Sequence, residues 1–308
     1  MTPVTPQDAP PPGVSDAPTP TVFPSAGVGQ PPAPASVVDP SRSVPERRLW
    51  VAVGTVLVAA AVGGAWFGAW VDGHRLRAVQ TATYAAGSVD FRDLGASDVS
   101  VVGTDRSDIL VTRTLTWVGS PDAPPAPREA VAASTLVIDN PCDNVGLTCT
   151  VDYRVEVPLT AAVRWSAGSG DLYAAGIASV VARGSSSDLT LREVGTADLT
   201  TNSGDVDVCG SHTSLVVQTQ SGEVDACDVT GASAVVSTAS GDVRFDGGPQ
   251  VATIRTASGD VDVTLTAQER YAVQASTSSG EVDVGVVPDR TSPRILDVTT
   301  SSGDITVR

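Results

Sequence analysis

A chain of 308 residues has room for two domains, but 29 Gly, 22 Pro and only four Phe, four Tyr and five Trp exclude a wide aromatic core. Nineteen basic residues, all Arg, face 35 Asp and Glu, and the net charge of −16 excludes the concentrated positive surface that nucleic-acid binding requires. Two His and four Cys leave little material for a catalytic or metal centre, so no cofactor is expected.

Residues 1–48 carry Pro runs such as Ala9-Pro10-Pro11-Pro12 and Gln30-Pro31-Pro32-Ala33-Pro34, with no apolar periodicity. Such a segment cannot bury enough surface to offset its ordering entropy, and a disordered cytoplasmic tail is predicted. Residues 49–71 contain no charge and lie between Arg47-Arg48 and Asp72. At ~1.5 Å per helical residue they exceed a hydrocarbon layer of ~30 Å, which predicts one transmembrane helix with Trp50, Trp66 and Trp70 near its interfaces. A cleaved signal peptide fits worse, because the stretch is too long, starts too late and ends without a small-residue site. Gly64 and Gly68 have the spacing that lets two such helices approach, a candidate route to self-association. Arg42, Arg47 and Arg48 are balanced by His74, Arg75 and Arg77, so charge alone leaves the orientation open. Residues 72–79 read as a juxtamembrane linker.

Residues 80–160 hold strand-like runs, including Val89-Asp90-Phe91, Val99-Ser100-Val101, Ile109-Leu110-Val111, Leu136-Val137-Ile138 and Tyr153-Arg154-Val155-Glu156-Val157. Their periodicity is weak, and they are expected to form an N-terminal β cap with the first irregular rungs.

Residues 161–308 are an array. Ser-Gly-Asp/Glu recurs with its glycine at Gly170, Gly204, Gly222, Gly241, Gly259, Gly280 and Gly303, and Ser187 occupies the glycine slot of one further unit. Successive slots are 17, 17, 18, 19, 18, 21 and 23 residues apart, giving eight units. With the slot set to zero, position +2 reads Leu172, Leu189, Val206, Val224, Val243, Val261, Val282 and Ile305, and position +4 is also apolar throughout. Upstream, −7 and −5 are apolar in every unit, and −3 is small or Thr. Period-two alternation on both sides of the corner predicts two short strands per unit. Four side chains, mostly Val- or Ala-sized, cannot stabilise such a unit alone, so neighbours must stack strand on strand at ~4.8 Å. The expected fold is all-β: a parallel β-solenoid, or β-helix, of about eight rungs, two-faced and right-handed, with a thin aliphatic core.

Cys209 and Cys227 share position +5 of adjacent units, and in-register rungs bring them within disulfide reach; Cys142 and Cys149 flank a short turn. Two bridges imply an oxidising compartment, which orients the span with its amino terminus cytoplasmic and the repeats outside. The +1 column is acidic in every unit, and +3 adds a partial second row. Asp205, Asp207, Glu223, Asp225, Asp242, Asp260 and Asp262 are the candidate calcium ligands, although the GGxGxDxUx nonapeptide is missing. The alternative role is structural, each carboxylate accepting backbone N–H groups at a corner whose glycine is left-handed. His212 follows Gly210-Ser211 and reads as a surface turn residue; no GxSxG, Walker or HExxH motif occurs.

Ser-Gly-Asp/Glu followed by Val-x-Val at near-constant spacing resembles the bacterial putative-adhesin family of unknown function, over about residues 80–308. The resemblance implies a membrane-anchored β-solenoid at the cell envelope and supplies no catalytic residues. The expected role is therefore a non-enzymatic envelope protein that presents an acidic solenoid for adhesion, for binding a protein or cell-wall glycan, or for envelope-stress sensing. The alternatives are a carbohydrate-active enzyme using paired acids such as Asp205 and Asp207, and a calcium-stabilised surface module. The last strand, near Ile305 and Val307, is expected to be an open edge available for self-association.

Overall fold

The computed structural model describes residues 75–142, 148–266 and 269–308. The predicted tail and transmembrane helix lie outside the described residues, among which no helix is long and apolar enough to cross a membrane. Every regular element described is a strand, so the described region is all-β. The first strand starts at Arg75, so residues 75–79, assigned from sequence to a linker, are already part of it.

Among the described residues seven strands precede the repeats: β1 (Arg75–Tyr84), β2 (Ser88–Arg92), β3 (Val99–Thr104), β4 (Ile109–Val118), β5 (Arg128–Ala132), β6 (Thr135–Asp139) and β7 (Cys149–Pro158). The repeats contribute β8 (Ala162–Ala167), β9 (Leu172–Ala175), β10 (Ser179–Gly184), β11 (Leu189–Arg192), β12 (Thr196–Ser203), β13 (Val206–Ser211) and β14 (Ser214–Ser221). They continue with β15 (Val224–Ser240), β16 (Val243–Ser258), β17 (Val261–Leu265), β18 (Ala272–Ser279), β19 (Val282–Val284), β20 (Ile295–Ser302) and β21 (Ile305–Val307). Short aliphatic residues at every second position produce these strands, since one face can then be buried completely while the other stays polar. In the unit around Gly222, Leu215, Val217, Val224 and Ala226 are fully buried.

Strands of successive units pair in parallel and in register. Ala197 lies opposite Leu215, Leu215 opposite Ala234 and Ala234 opposite Ala252; on the second face Val206, Val224, Val243 and Val261 follow one another in the same way. The columns expected from sequence are thus the observed ones, and the backbone hydrogen bonds run between rungs.

The order of rungs departs from chain order at both ends. At the carboxy-terminal end β16 and β17 pair with β20 and β21, which in turn pair with β18 and β19. The last unit of the sequence is therefore the penultimate rung, and the expectation that the C-terminal strand forms an open edge is wrong. β21 is hydrogen-bonded on both sides; the outermost rung is β18–β19. At the other end β2–β3 form a rung between β8–β9 and β6–β7, although β6 and β7 come later in the chain. Beyond this rung, β4 adds antiparallel to β7, β1 adds to β4 and β5 adds to β6. A buried ion pair ties this cap together: Arg113 donates to Glu129 at 2.5 Å and to Gln80 at 2.9 Å, and the Tyr84 hydroxyl donates to Glu129.

Candidate functional site: the acidic corner column

The corner glycines stand in one row. A Cβ built on Gly204 would lie 2.1 Å from the carbonyl oxygen of Ser187; on Gly222, 2.1 Å from that of Gly204; on Gly241, 2.0 Å from that of Gly222. The row continues through Gly259, Gly303 and Gly280 in that spatial order, which repeats the exchange of the last two rungs. From Gly204 onward each of these glycines has positive φ, between 139° and 158°, a region closed to side-chain-bearing residues. Gly170 lacks positive φ, yet its Cβ would lie 2.0 Å from the oxygen of Ser97.

Ser187 fills the slot without adopting positive φ, and its side chain is accommodated by a second substitution. Position −3 holds Thr in six units, but in this one it is Gly184, whose built Cβ would lie 2.7 Å from the Cβ of Ser187. The two residues have exchanged the small and large roles. The Thr column itself closes the corner: Thr201, Thr256, Thr277 and Thr300 donate to corner carbonyls of Ser187, Gly241, Gly303 and Gly259 at 3.1–3.4 Å. Sequence reasoning saw this column only as small or Thr and missed its hydrogen bonds.

The +1 carboxylates form a ladder along this row. Asp98 Oδ1 accepts the N–H of Asp171 (3.0 Å), Asp171 that of Asp188 (3.0 Å), Asp188 that of Asp205 (2.9 Å) and Asp205 that of Glu223 (2.8 Å). After Glu223 the ladder resumes, with Asp242 accepting from Asp260 (2.8 Å), Asp260 from Asp304 (2.8 Å) and Asp304 from Glu281 (2.7 Å). The acceptor role expected of these carboxylates is observed, but the donated N–H comes from the next rung instead of the local corner. Each bond offsets part of the repulsion between stacked carboxylates. Glu223, longer by one methylene, turns to Arg244 instead. Asp98 extends the row into the cap: Ser97-Asp98-Val99-x-Val101 parallels Ser187-Asp188-Leu189-x-Leu191, a signal hidden in the sequence by one extra residue upstream of the corner. At the head of the row Asp152 has its pKa raised, first by burial and then by the carboxylate of Asp98.

Of the remaining candidate ligands, Asp207 pairs with Arg192 and Asp262 with Arg308 at 2.8 Å. Asp225 stacks between Asp207 and Arg244, and Arg244 in turn lies opposite Asp262, so Arg residues interrupt the second acidic row. The one grouping of three potential ligand atoms among the described residues is Asp207 with Cys209 and Cys227, and the two sulfurs are bonded to each other. Both expected disulfides are present, Cys209–Cys227 with Cα atoms 4.5 Å apart and Cys142–Cys149 at 5.4 Å.

His212 is not a surface residue. It is 1% exposed, its Nδ1 lies 2.6 Å from the carbonyl of Val194, and Nε2 is buried without a partner among the described residues. Burial lowers its pKa, against weaker opposing effects of the Val194 carbonyl and Glu193.

Residues 150–308 match the family model described as Toastrack DUF4097. Among solved structures, the chain is similar to a putative adhesin from Bacteroides fragilis, at 12% identity over 75% of this chain and 97% of that one, with a TM-score of 0.48. It is similar to a putative adhesin from Parabacteroides distasonis at 13% identity, over 75% and 97% of the two chains, with a TM-score of 0.49. A putative lipid binding protein from the same organism gives 14%, 75%, 96% and 0.41. No curated protein matches the chain.

Proposed function

Because the chain belongs to the Toastrack DUF4097 family, we propose that it is a non-enzymatic cell-envelope protein whose β-solenoid presents a rigid acidic face for binding, adhesion or stress sensing. The carboxylate ladder carries this reading. At most corners the acidic side chain accepts an N–H of the next rung or pairs with Arg, so the chemistry of the corners fixes register and leaves a regular outward surface. In the proposed topology residues 49–71 span the cell membrane once, residues 1–48 are cytoplasmic and the rungs are extracellular. The charge-free span and the two disulfides support that orientation.

The test is incubation of the purified full chain, in detergent, with isolated cell-wall glycan and with a glycan library. Retention on the glycan with no change in its chain length supports the proposal. Shortening of the glycan that Asp205→Asn or Asp207→Asn abolishes overturns it in favour of an enzyme. Melting the protein with and without ~1 mM calcium separates the metal-stabilised alternative. No shift is expected, since Asp205, Asp242 and Asp260 already accept N–H groups and Asp207 and Asp262 pair with Arg.

A further inference from the structure

The exchange of the last two rungs leaves β18–β19 as one end of the stack, and this end differs from the other. None of the residues of β18 is buried, whereas Leu296, Val298 and Thr300 of β20, one rung inward, are. Val282 is 39% exposed, while Ile305 in the same column is fully buried, and Val287 just beyond is 78% exposed. Among the described strands, β18 pairs only with β20 and β19 only with β21, so each keeps one side of its backbone unpaired. Sheet edges are ordinarily protected by charge, Pro or a bulge. The edges at the opposite end follow that rule, with exposed Arg75 and Arg77 in β1 and exposed Arg128 in β5. β18 does not: Ala-Val-Gln-Ala-Ser-Thr-Ser-Ser carries no charge and no Pro over eight residues.

We infer that this end is a docking surface for a second copy of the chain, joined about a two-fold axis through β18 with the two strands antiparallel. The charges flanking the strand select this occupant. Exposed Arg270, whose charge also acts on Asp289 of its own copy, precedes β18, and exposed Glu281 follows it. Antiparallel pairing about the centre of the strand carries Arg270 of each copy to the end where the other copy exposes Glu281. Two opposite-charge contacts form by symmetry, and no like charges meet along the strand itself. The apolar end residues of the two stacks, Val273, Ala275 and Val282, then cover one another as neighbouring rungs do. Isologous pairing also closes on itself, which limits assembly to a dimer instead of an open filament.

The test uses the full chain in detergent micelles, followed by sedimentation. A concentration-dependent dimer is expected. Arg270→Glu weakens it by about tenfold or more, and the exchange Arg270→Glu with Glu281→Arg restores it. All four native cysteines are in disulfides. A single Ala275→Cys or Ser276→Cys at the strand centre therefore reports contact directly, and at least one of the two cross-links to its own copy, while Thr253→Cys on an interior rung does not. A monomer at every concentration overturns the inference. So does a dimer indifferent to Arg270→Glu with no cross-link at either centre position, which would place association elsewhere, for instance at Gly64 and Gly68.

Discussion

The corner glycine is required on two counts, and each can be tested by adding a single methyl group. Gly222→Ala meets both a φ of 155° and the Gly204 oxygen 2.1 Å away, so a loss of about 2–4 kcal/mol in unfolding free energy is expected. Gly87, whose Cβ would meet nothing within 4 Å, is the control, and Gly87→Ala leaves stability nearly unchanged. Ser187 and Gly184 give a sharper test. Gly184→Thr alone drives a side chain into Ser187 and costs about 2 kcal/mol, whereas Gly184→Thr with Ser187→Gly rebuilds the pattern of the other units and is at least as stable as the parent. A denaturant titration of the parent, Gly184→Thr, Ser187→Gly and the double variant reads that coupling. The exchange is readable in the sequence once columns 0 and −3 are considered together; taken singly, Ser187 looks like simple degeneracy. His212 was not readable, because Gly210-Ser211-His212 has turn chemistry and only the rungs above and below bury it. Its pKa in the folded state is lowered, so below about pH 6.5 the unfolded chain binds the extra proton. Stability from this group is complete above that pH and declines as pH falls toward the folded pKa. Melting temperature should drop across that window, and His212→Asn should flatten the drop.

At the scale of the element, alternation and corner spacing determine which residues become strands, and the strands fall where that spacing places them. Neighbour order is a different matter. Val-Asp-Val of β19 and Ile-Thr-Val of β21 offer the same aliphatic positions to a neighbouring rung, so the repeat does not specify which of them follows β17. What distinguishes them lies in the connections. The 21- and 23-residue spacings are the only mark in the sequence. In the structure the connecting residues form a polar clasp over the Gly248–Pro249 corner. Arg294 donates to the Gly248 carbonyl at 2.9 Å and pairs with Glu269 at 2.6 Å, and the Tyr271 hydroxyl donates to the Pro249 carbonyl at 2.7 Å. A Cβ on Gly248 would lie 2.4 Å from the Glu269 carboxylate, so the clasp also needs that glycine. A chain truncated after Arg294 loses β20 and β21, and with them the only described strands that β18 and β19 pair with. Hydrogen exchange should then show the amides of β18 and β19 unprotected while β16 and β17 stay protected. Protection of β18 and β19 in the truncated chain would mean that they had stacked directly on β16 and β17.

For the whole molecule, thin aliphatic columns, in-register corners and a net negative surface follow from composition and period, which is why the architecture is legible in the sequence. The two ends were not, because they depend on which rung is last in space and not on which is last in sequence. At both ends a terminal unit of the folded region is slipped between two others, β2–β3 inside β6–β7 and β20–β21 inside β18–β19. Each end therefore needs a long connection to form before its last rung can enter, a non-local step that slows folding relative to simple propagation along the stack. Paired cysteines decide the order most directly. Thr253 lies opposite Asp297, and Asp297 opposite Gln274. In oxidised protein, Thr253→Cys with Asp297→Cys should form a disulfide, and Thr253→Cys with Gln274→Cys, two strand spacings or about 9.6 Å apart, should not. A bond in the second pair and none in the first would return the rungs to chain order and contradict the stacking described above.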